Sequence, residues 1–320
     1  MLLVGIDEAG YGPLLGPLVV SGVALRLPDE LGNLPLWQLL GEGLTDRAAG
    51  AKGRIVVADS KKVFHGKDRD LRELERSALG AVMLSTGSMP ETFDQLLALI
   101  SLEPEPHLSH PWYCHRLLAL PCRVPLDGLR LSAAILSREF TAVNGSLLCV
   151  KSVPLVERRY NFLVKQTRNK SEIVFAQTAR ILSEILAACP DPNVRIAVDK
   201  QGGKDHYVRN LLRSFPDAKL TIVCEGPERS EYILGFSRAE VRIEFCQKGE
   251  TKHLLVAWAS ILSKYLRELF MIQFNAYWSQ HLPKLSPTAG YWEDGRRFIQ
   301  EVQPILEKLH IPSSELLRQL

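Results

Sequence analysis

Short apolar runs that end at glycine or at a carboxylate punctuate this chain. Residues 2–6 are apolar and meet Asp7 and Glu8 before the chain breaks at Gly10. Residues 18–25 form a second run, near enough across Gly12-Pro13-Leu14-Leu15-Gly16-Pro17 to pair with the first as an antiparallel hairpin. Residues 54–58 predict another short strand, leading into Asp59-Ser60-Lys61-Lys62, and residues 194–198 predict a buried strand that ends at Asp199. Two β-rich pieces follow at 220–224 and 241–246.

Helical spacing predicts a surface helix over 67–83, a helix over 172–188 that Pro190 and Pro192 stop, and a third over 205–215. The clearest helix runs from 254 to about 274, where Trp258, Ile261, Leu262, Tyr265, Leu266 and Leu269 share one face. Residues 86–150 are rich in Pro, Leu and Ser, with turn signals at Pro104, Pro106, Pro111, Pro121 and Pro125. They read as an insertion with short strands of its own. A domain over 1–285 is therefore expected to carry this insertion and a C-terminal helical extension over 286–320, whose apolar face is Phe298, Val302, Ile305, Leu306 and Leu309.

At 320 residues the chain fits one α/β domain with insertions. A formal net charge of +3 is too small to announce a nucleic-acid partner, so any basic surface must be local. The six cysteines (Cys114, Cys122, Cys149, Cys189, Cys224 and Cys246) include no C-x-x-C pair. That points away from a zinc site or a disulfide framework and toward reduced thiols in a cytoplasmic protein. No basic segment precedes the opening apolar residues, as a signal peptide requires, and no apolar run approaches the roughly 18 residues of a membrane span. A cytoplasmic protein with no membrane association is expected.

Adjacent carboxylates where a strand breaks into glycines suit a divalent cation held beside a phosphate. In a regular strand Asp7 and Glu8 point to opposite faces, and the break at Gly10 lets them converge. On the 254–274 helix Ser260, Lys264 and Glu268 lie four residues apart, a polar ridge beside the apolar stripe; the same spacing suits an ordinary Lys-Glu pair. Asp199 ends its strand at Lys200-Gln201-Gly202-Gly203-Lys204, a common place for site residues in α/β sheets and equally for a turn aspartate.

Taken in order, these segments resemble those of the type 2 ribonucleases H, with ribonuclease HII closest in pattern and ribonuclease HIII a near relative. Residues 5–17 are similar to the opening G-I-D-E-A-G-R-G-P-L-x-G-P, and Asp59-Ser60-Lys61-Lys62 to D-S-K-K. Ala197-Val198-Asp199 is similar to the strand bearing a third carboxylate, and residues 248–268 to K-G-D-x-K-x-x-x-I-A-A-A-S-I-L-A-K-x-x-R-D. Gly290-Tyr291 with Arg297-Phe298 is similar to the tyrosine segment, while residues 86–150 and 225–238 have no clear counterpart.

The resemblance implies an α/β, ribonuclease H-like fold, a mixed central sheet flanked by helices. It implies a metal-dependent endoribonuclease that hydrolyses the RNA strand of RNA/DNA hybrids or cuts at ribonucleotides embedded in duplex DNA, with no obligate protein partner. By position it gives Asp7, Glu8, Asp199 and Glu268 as the catalytic, metal-binding carboxylates, Lys61 and Lys264 near phosphates, and Tyr291 against the sugar at the junction. The Gly10-Tyr11-Gly12 loop suits the 2′-hydroxyl, because residues without Cβ let backbone groups approach a sugar.

Four crowded carboxylates need a divalent cation to stay ionised, and all-oxygen ligation favours Mg²⁺ or Mn²⁺. Two such ions would activate water and stabilise the leaving 3′-oxygen, giving 5′-phosphate and 3′-hydroxyl ends. The chain departs from the family pattern at Tyr11, where ribonuclease HII has Arg and ribonuclease HIII Lys. It also has Glu250 and Glu268 for Asp, Trp258 for Ala, and Lys200 for Gly. It therefore reads as a divergent member. The alternative is a nucleic-acid-binding paralogue with weak or lost catalysis, against which the retained carboxylates argue.

Overall fold

The computed structural model describes residues 1–64, 70–103, 110–114 and 117–319. Pro104, Pro106 and the first residues of the helix expected over 67–83 lie outside this set. The chain opens with β1 (Leu2–Ala9) and β2 (Leu18–Arg26), the expected antiparallel hairpin, in which Leu2 faces Arg26 and Ala9 faces Val19. There follow α1 (Leu36–Leu39), a small parallel pair of β3 (Leu44–Thr45) and β4 (Ile55–Val56), then α2 (Ser60–Val63), α3 (Arg72–Thr86), α4 (Phe93–Ile100), α5 (Leu126–Ala142) and β5 (Ser146–Leu155). The second half runs α6 (Glu157–Thr167), α7 (Lys170–Ala188), β6 (Asn193–Asp199), α8 (Val208–Ser214), β7 (Lys219–Cys224), β8 (Arg229–Gly235), β9 (Glu240–Cys246), α9 (Gly249–Lys252), α10 (Leu254–His281), α11 (Trp292–Lys308) and α12 (Ser313–Leu316).

Seven strands form one mixed sheet in the order β5-β2-β1-β6-β9-β8-β7. β2 runs antiparallel to both β5 and β1, β6 and β9 run parallel to β1, β8 is antiparallel to β9, and β7 is antiparallel to β8 at the far edge. The sheet is therefore mixed and flanked by helices, as expected, with β8 and β7 at one edge. Alternate strand residues feed two cores. Val19 and Val23 pack with α3, α5 and α10 on one face, while Ile6, Val20 and Val198 pack with α7 and α8 on the other.

α10 is apolar almost all round because it is covered on nearly every side, and it lies directly on β1. Trp258 explains its own bulk: it fills the space toward α3 and donates its indole N–H to the Ser77 carbonyl at 2.9 Å. Gly5 is where β1 and α10 come closest, since a Cβ there would stand 2.1 Å from the Leu255 carbonyl carbon. Because both partners are backbone, Gly5→Ala should cost about 3 kcal/mol or more, at the upper end of overpacking effects. Chemical denaturation should show the loss as a lower midpoint with little change in slope.

Two sequence expectations are corrected. Residues 86–150 fold as α4 and α5 rather than as short strands, apart from isolated bridges at Thr92–Ala119 and Ser101–Ser152, and residues 146–150 already belong to β5 of the central sheet. Thr92 caps α4 by accepting from Gln95 N, a helix-start signal that the prolines around it obscured. Between the two expected β-rich pieces lies a third strand, β8, whose Glu231 is a buried carboxylate paired with Arg229 and Arg242. The C-terminal helices pack into the main core, with Phe298, Val302, Leu306 and Leu316 buried and Ile305 and Leu309 partly so. Among the described residues no helix is long and apolar enough to cross a membrane.

Candidate active site

β1 and β6 are parallel neighbours whose last paired residues are Ile6 and Val198, so Asp7 and Asp199 each follow at the same end of the sheet. The Asp7 carboxylate accepts from Glu8 N at 2.7 Å, and its backbone carbonyl accepts from the Ser263 hydroxyl of α10 at 3.1 Å. Asp199 accepts from Gly249 N at 2.7 Å, which fixes the first residue of α9 against β6. Lys248, just before it, adopts a left-handed conformation with φ 57°, and this turns α9 back over the strand ends.

That turn delivers Glu250. Its carboxyl is within hydrogen-bond reach of Asp199, its charge acts on both Asp199 and Glu8, and its Oε2 is buried without a protein partner. Burial raises the Asp7 pKa well above the ordinary carboxylate range, with Glu8 and Asp199 adding repulsion. Glu8 is pushed up to about 8, by burial first and then by Asp199, with Glu250 contributing. Asp199 is pushed up to about 6, again mainly by burial. Lys61, at the start of α2, is the cation that opposes these shifts on Glu8 and Asp199. α2 is itself held by Asp59 accepting from Lys61 N at 2.9 Å and by contact between the Ser60 and Ser260 hydroxyls at 3.0 Å.

Glu268 has other partners. Its Oε1 takes the Lys264 ammonium at 2.7 Å and lies 3.5 Å from Nη1 of the buried Arg267. Glu8 and Asp199 act on Asp7, and Glu250 on Glu8 and Asp199, although no three of these carboxylates bring ligand oxygens within 4.8 Å of one another; Glu268 lies on Lys264 and beside the buried Arg267 guanidinium. Lys264 is correspondingly occupied, lying over the Phe64 ring at 4.9 Å as well as on Glu268. The signal for Glu250 stood in the sequence, in Lys248-Gly249-Glu250. The family resemblance placed the fourth carboxylate at Glu268 instead.

The Gly10–Pro17 loop borders this cluster and is held from below. Gly10 has φ 88°, and a Cβ would stand 2.6 Å from the Pro17 carbonyl, so glycine is required there. Gly12 faces open space. Arg267 Nη2 donates to the Leu15 and Ala289 carbonyls, 3.0 Å each, and Gly290 O accepts from Leu14 N and Leu15 N. Arg318, near the C-terminus, donates from its side chain to the Pro13 carbonyl and from its backbone to the Leu14 carbonyl. Buried Glu157, pushed up to about 7 by burial, accepts from Gly16 N at 2.9 Å. Arg267 stands in the block matched to K-x-x-R-D without a role of its own, and Arg318 and Glu157 carry no sequence signal.

Tyr11 rests against Gly202 after β6, with the Lys170 ammonium 6.0 Å from its ring centre, so α7 supplies a cation beside a residue that carries none. Tyr291, 49% exposed, caps α11 beside the loop, its ring 5.7 Å from the Arg267 guanidinium. Lys200 is buried, paired with Asp205 at 2.6 Å and bonded to the Gly226 and Pro227 carbonyls; it ties the segment before β8 to the end of β6.

The cluster suits a hard divalent cation. Its donors are all carboxylate oxygens, one of them buried and unpartnered, and burial, with repulsion added, makes Asp7, Glu8 and Asp199 hold protons that a metal would replace.

No family model matches the chain. Over 142 residues it is 29% identical to a ribonuclease HII from Archaeoglobus fulgidus, covering 44% of this chain and 57% of that relative, little more than half its length. Among solved structures, one of the complex of PCNA with ribonuclease HII from the same organism has a TM-score of 0.43 and 18% identity, over all of this chain and 94% of that one. The ribonuclease H2 of Pyrococcus horikoshii gives 0.41 and 13% over 99% and 92%, and Bst ribonuclease HIII in complex with Mn²⁺ gives 0.42 and 15% over 100% and 66%.

Proposed function

We propose that this chain, a type 2 ribonuclease H by its motifs and by its likeness to an archaeal ribonuclease HII, is a metal-dependent endoribonuclease that cuts the RNA strand of RNA/DNA hybrids or at ribonucleotides embedded in duplex DNA. The observation that supports this reading most is the approach of Glu250 on α9 to Asp7, Glu8 and Asp199 at the ends of β1 and β6, where burial, with repulsion added, raises the pKa values of Asp7, Glu8 and Asp199. These four would hold Mg²⁺ or Mn²⁺, which when bound supply an activated water and stabilise the charge on the leaving 3′-oxygen.

The remaining groups bind and orient the substrate. Lys61, exposed beside the cluster, takes a phosphate. The backbone of Gly10, Tyr11 and Gly12 approaches the 2′-hydroxyl from the loop that Arg267, Arg318 and Glu157 support. The exposed Tyr291 ring, on the same loop's flank, stacks against the neighbouring sugar and crowds a 2′-hydroxyl there. Lys264 binds substrate only by leaving Glu268, so Lys61 carries more of the phosphate contact.

Three duplexes separate the possibilities: a continuous RNA/DNA hybrid, a DNA duplex with one ribonucleotide, and an all-DNA duplex, each with Mg²⁺, Mn²⁺ or a chelator. Metal-dependent cleavage confined to the ribonucleotide-containing substrates, leaving 5′-phosphate and 3′-hydroxyl ends, is expected. Cleavage of all-DNA duplex, or binding without turnover under every metal condition, would contradict the proposal.

Two further outcomes follow from the contacts. Lys61→Ala should reduce the slope of log affinity against log salt by about one phosphate contact, roughly 0.7–0.9, while Lys264→Ala should change it less. Filter binding from low to moderate salt reads both. Arg318→Ala frees the Pro13 carbonyl, a charged hydrogen bond worth about 1.5–3 kcal/mol. It should raise KM about tenfold with a smaller change in kcat, as steady-state kinetics on the single-ribonucleotide duplex would show.

A further inference from the structure

A second constellation lies on the same face of the sheet, one strand away. Glu244 and Cys246 are two residues apart on β9 and so point the same way, and His253 arrives over them at the start of α10 after the α9 turn. One ligand atom from each, a Glu244 carboxylate oxygen, the Cys246 sulfur and a His253 ring nitrogen, lie within 4.8 Å of one another. The sequence contains no C-x-x-C pair; sheet register and the backbone reversal at Lys248 create this proximity.

We propose that Glu244, Cys246 and His253 form a binding site for a thiophilic divalent ion of the zinc class, separate from the carboxylate cluster. The donor set is one thiolate, one imidazole and one carboxylate, the softness and number that zinc sites with an open fourth position use. The charge closes: a divalent cation is balanced by the Glu244 carboxylate and by Cys246, whose thiol proton leaves to solvent on binding.

The surroundings are ordered for the same purpose. Glu244 Oε2 is anchored by Arg229 Nε at 2.8 Å, which leaves Oε1, now 2.9 Å from His253 Nε2, to turn to an ion. Arg229 opposes a cation only weakly, because Glu231 holds it as well at 2.5 Å. The buried Cys246 sulfur has one long contact, 3.9 Å to the Val198 carbonyl, so ligation disrupts no strong bond. Glu244 and His253 line an open cavity of about 470 Å³, which gives an ion its way in. Cys246 is paired in register with Asp199, and Gly249 between Cys246 and His253 donates to Asp199. An ion here therefore ties down both ends of the turn that carries Glu250. The site itself does not rest on the proposed nuclease reading.

Cobalt(II) reports thiolate ligation through sulfur-to-metal charge-transfer absorption in the near ultraviolet. Titrated into the reduced, full-length protein with excess Mg²⁺ present, Co²⁺ should give that absorption with an end point near one equivalent, and Zn²⁺ should abolish it. Cys246→Ser should remove the band, His253→Ala, at a half-exposed position, should weaken Co²⁺ affinity at least tenfold, and Asp199→Asn should leave the band in place. Absence of charge-transfer absorption in the wild-type protein would overturn the proposal. So would a band that survives Cys246→Ser unchanged, which would put the ion on another cysteine, or unaltered affinity in folded His253→Ala. None of these readings depends on cleavage, so loss of the nuclease proposal and loss of this site remain distinguishable.

Discussion

Glu250→Gln should lower metal-dependent cleavage by about a hundredfold or more, equivalent to roughly 2.7 kcal/mol of barrier, whereas Glu268→Gln should leave turnover within about fivefold of wild type. The contrast comes from what each carboxyl touches. Glu250 reaches Asp199, acts on Glu8 and keeps one buried oxygen without a partner, while Glu268 is spent on Lys264 and Arg267. Losing the Glu268 charge should instead appear as lost stability, because it leaves the buried Arg267 guanidinium without its nearby anion. Single-turnover rates and thermal melts on the same two variants separate these effects. The opposite pattern, an inactive Glu268→Gln beside an active Glu250→Gln, would return the fourth carboxylate to α10.

Without divalent metal, the protein should lose stability as pH rises from about 5 to about 8, and Asp7→Asn should recover part of it at pH 8. The sign follows from the direction of the shifts. Asp7, Glu8 and Asp199 bind protons more tightly in the folded state than in the unfolded chain. Their contribution is therefore fully present below the unfolded carboxyl pKa, near 4, and is lost as pH climbs through about 6 for Asp199 and about 8 for Glu8. Carboxylates shifted down act in the opposite sense, but at lower pH. Among these are Asp29, held down by hydrogen bonding to the N-terminal ammonium, and Glu225, by hydrogen bonds from Tyr232 and His206. His110, drawn down to about 4 mainly by burial, titrates alike in both proteins, so the difference between wild type and Asp7→Asn isolates the cluster. Urea melts in chelator at pH 5, 6.5 and 8 read the window, and Mn²⁺ should flatten it in the wild type. A wild-type protein that becomes more stable relative to Asp7→Asn as pH rises would show that the acids are already paired or solvated.

The parts of this arrangement legible in the sequence were those fixed by local pattern. The hairpin of β1 and β2, the strand ending at Asp199 and the long helix α10 each announce themselves by an unbroken apolar run or a 3.6-residue period, and each is found within a few residues of its expected bounds except that α10 continues to His281. Asp7, Glu8 and Asp199 followed from those elements, because a residue at a strand end goes where the strand goes. Glu250 did not, since its direction depends on one left-handed residue, Lys248, and on the amide of Gly249 finding Asp199 across fifty positions of chain. Glu268 had the right spacing for a ridge with Lys264, and spacing alone cannot distinguish a metal ligand from an ion pair. The region around α4 and α5 misled because Pro111 and Pro121 lie in a turn and a bend between the helices and Pro125 directly precedes α5. The supports of the Gly10–Pro17 loop, Arg267, Arg318 and Glu157, were illegible for a third reason: each is distant in sequence from the carbonyl or amide it holds.

Calorimetric titration of Mn²⁺ into the chelator-stripped, full-length protein reads the carboxylate cluster most directly, alongside Glu250→Gln and Glu268→Gln. Saturable binding accompanied by proton release at pH 7, lost or weakened at least tenfold in Glu250→Gln and kept within about threefold in Glu268→Gln, is the expected result. Binding that survives Glu250→Gln at full affinity, or that disappears in Glu268→Gln while the fold persists, would contradict the assignment of Asp7, Glu8, Asp199 and Glu250 as the metal-holding set.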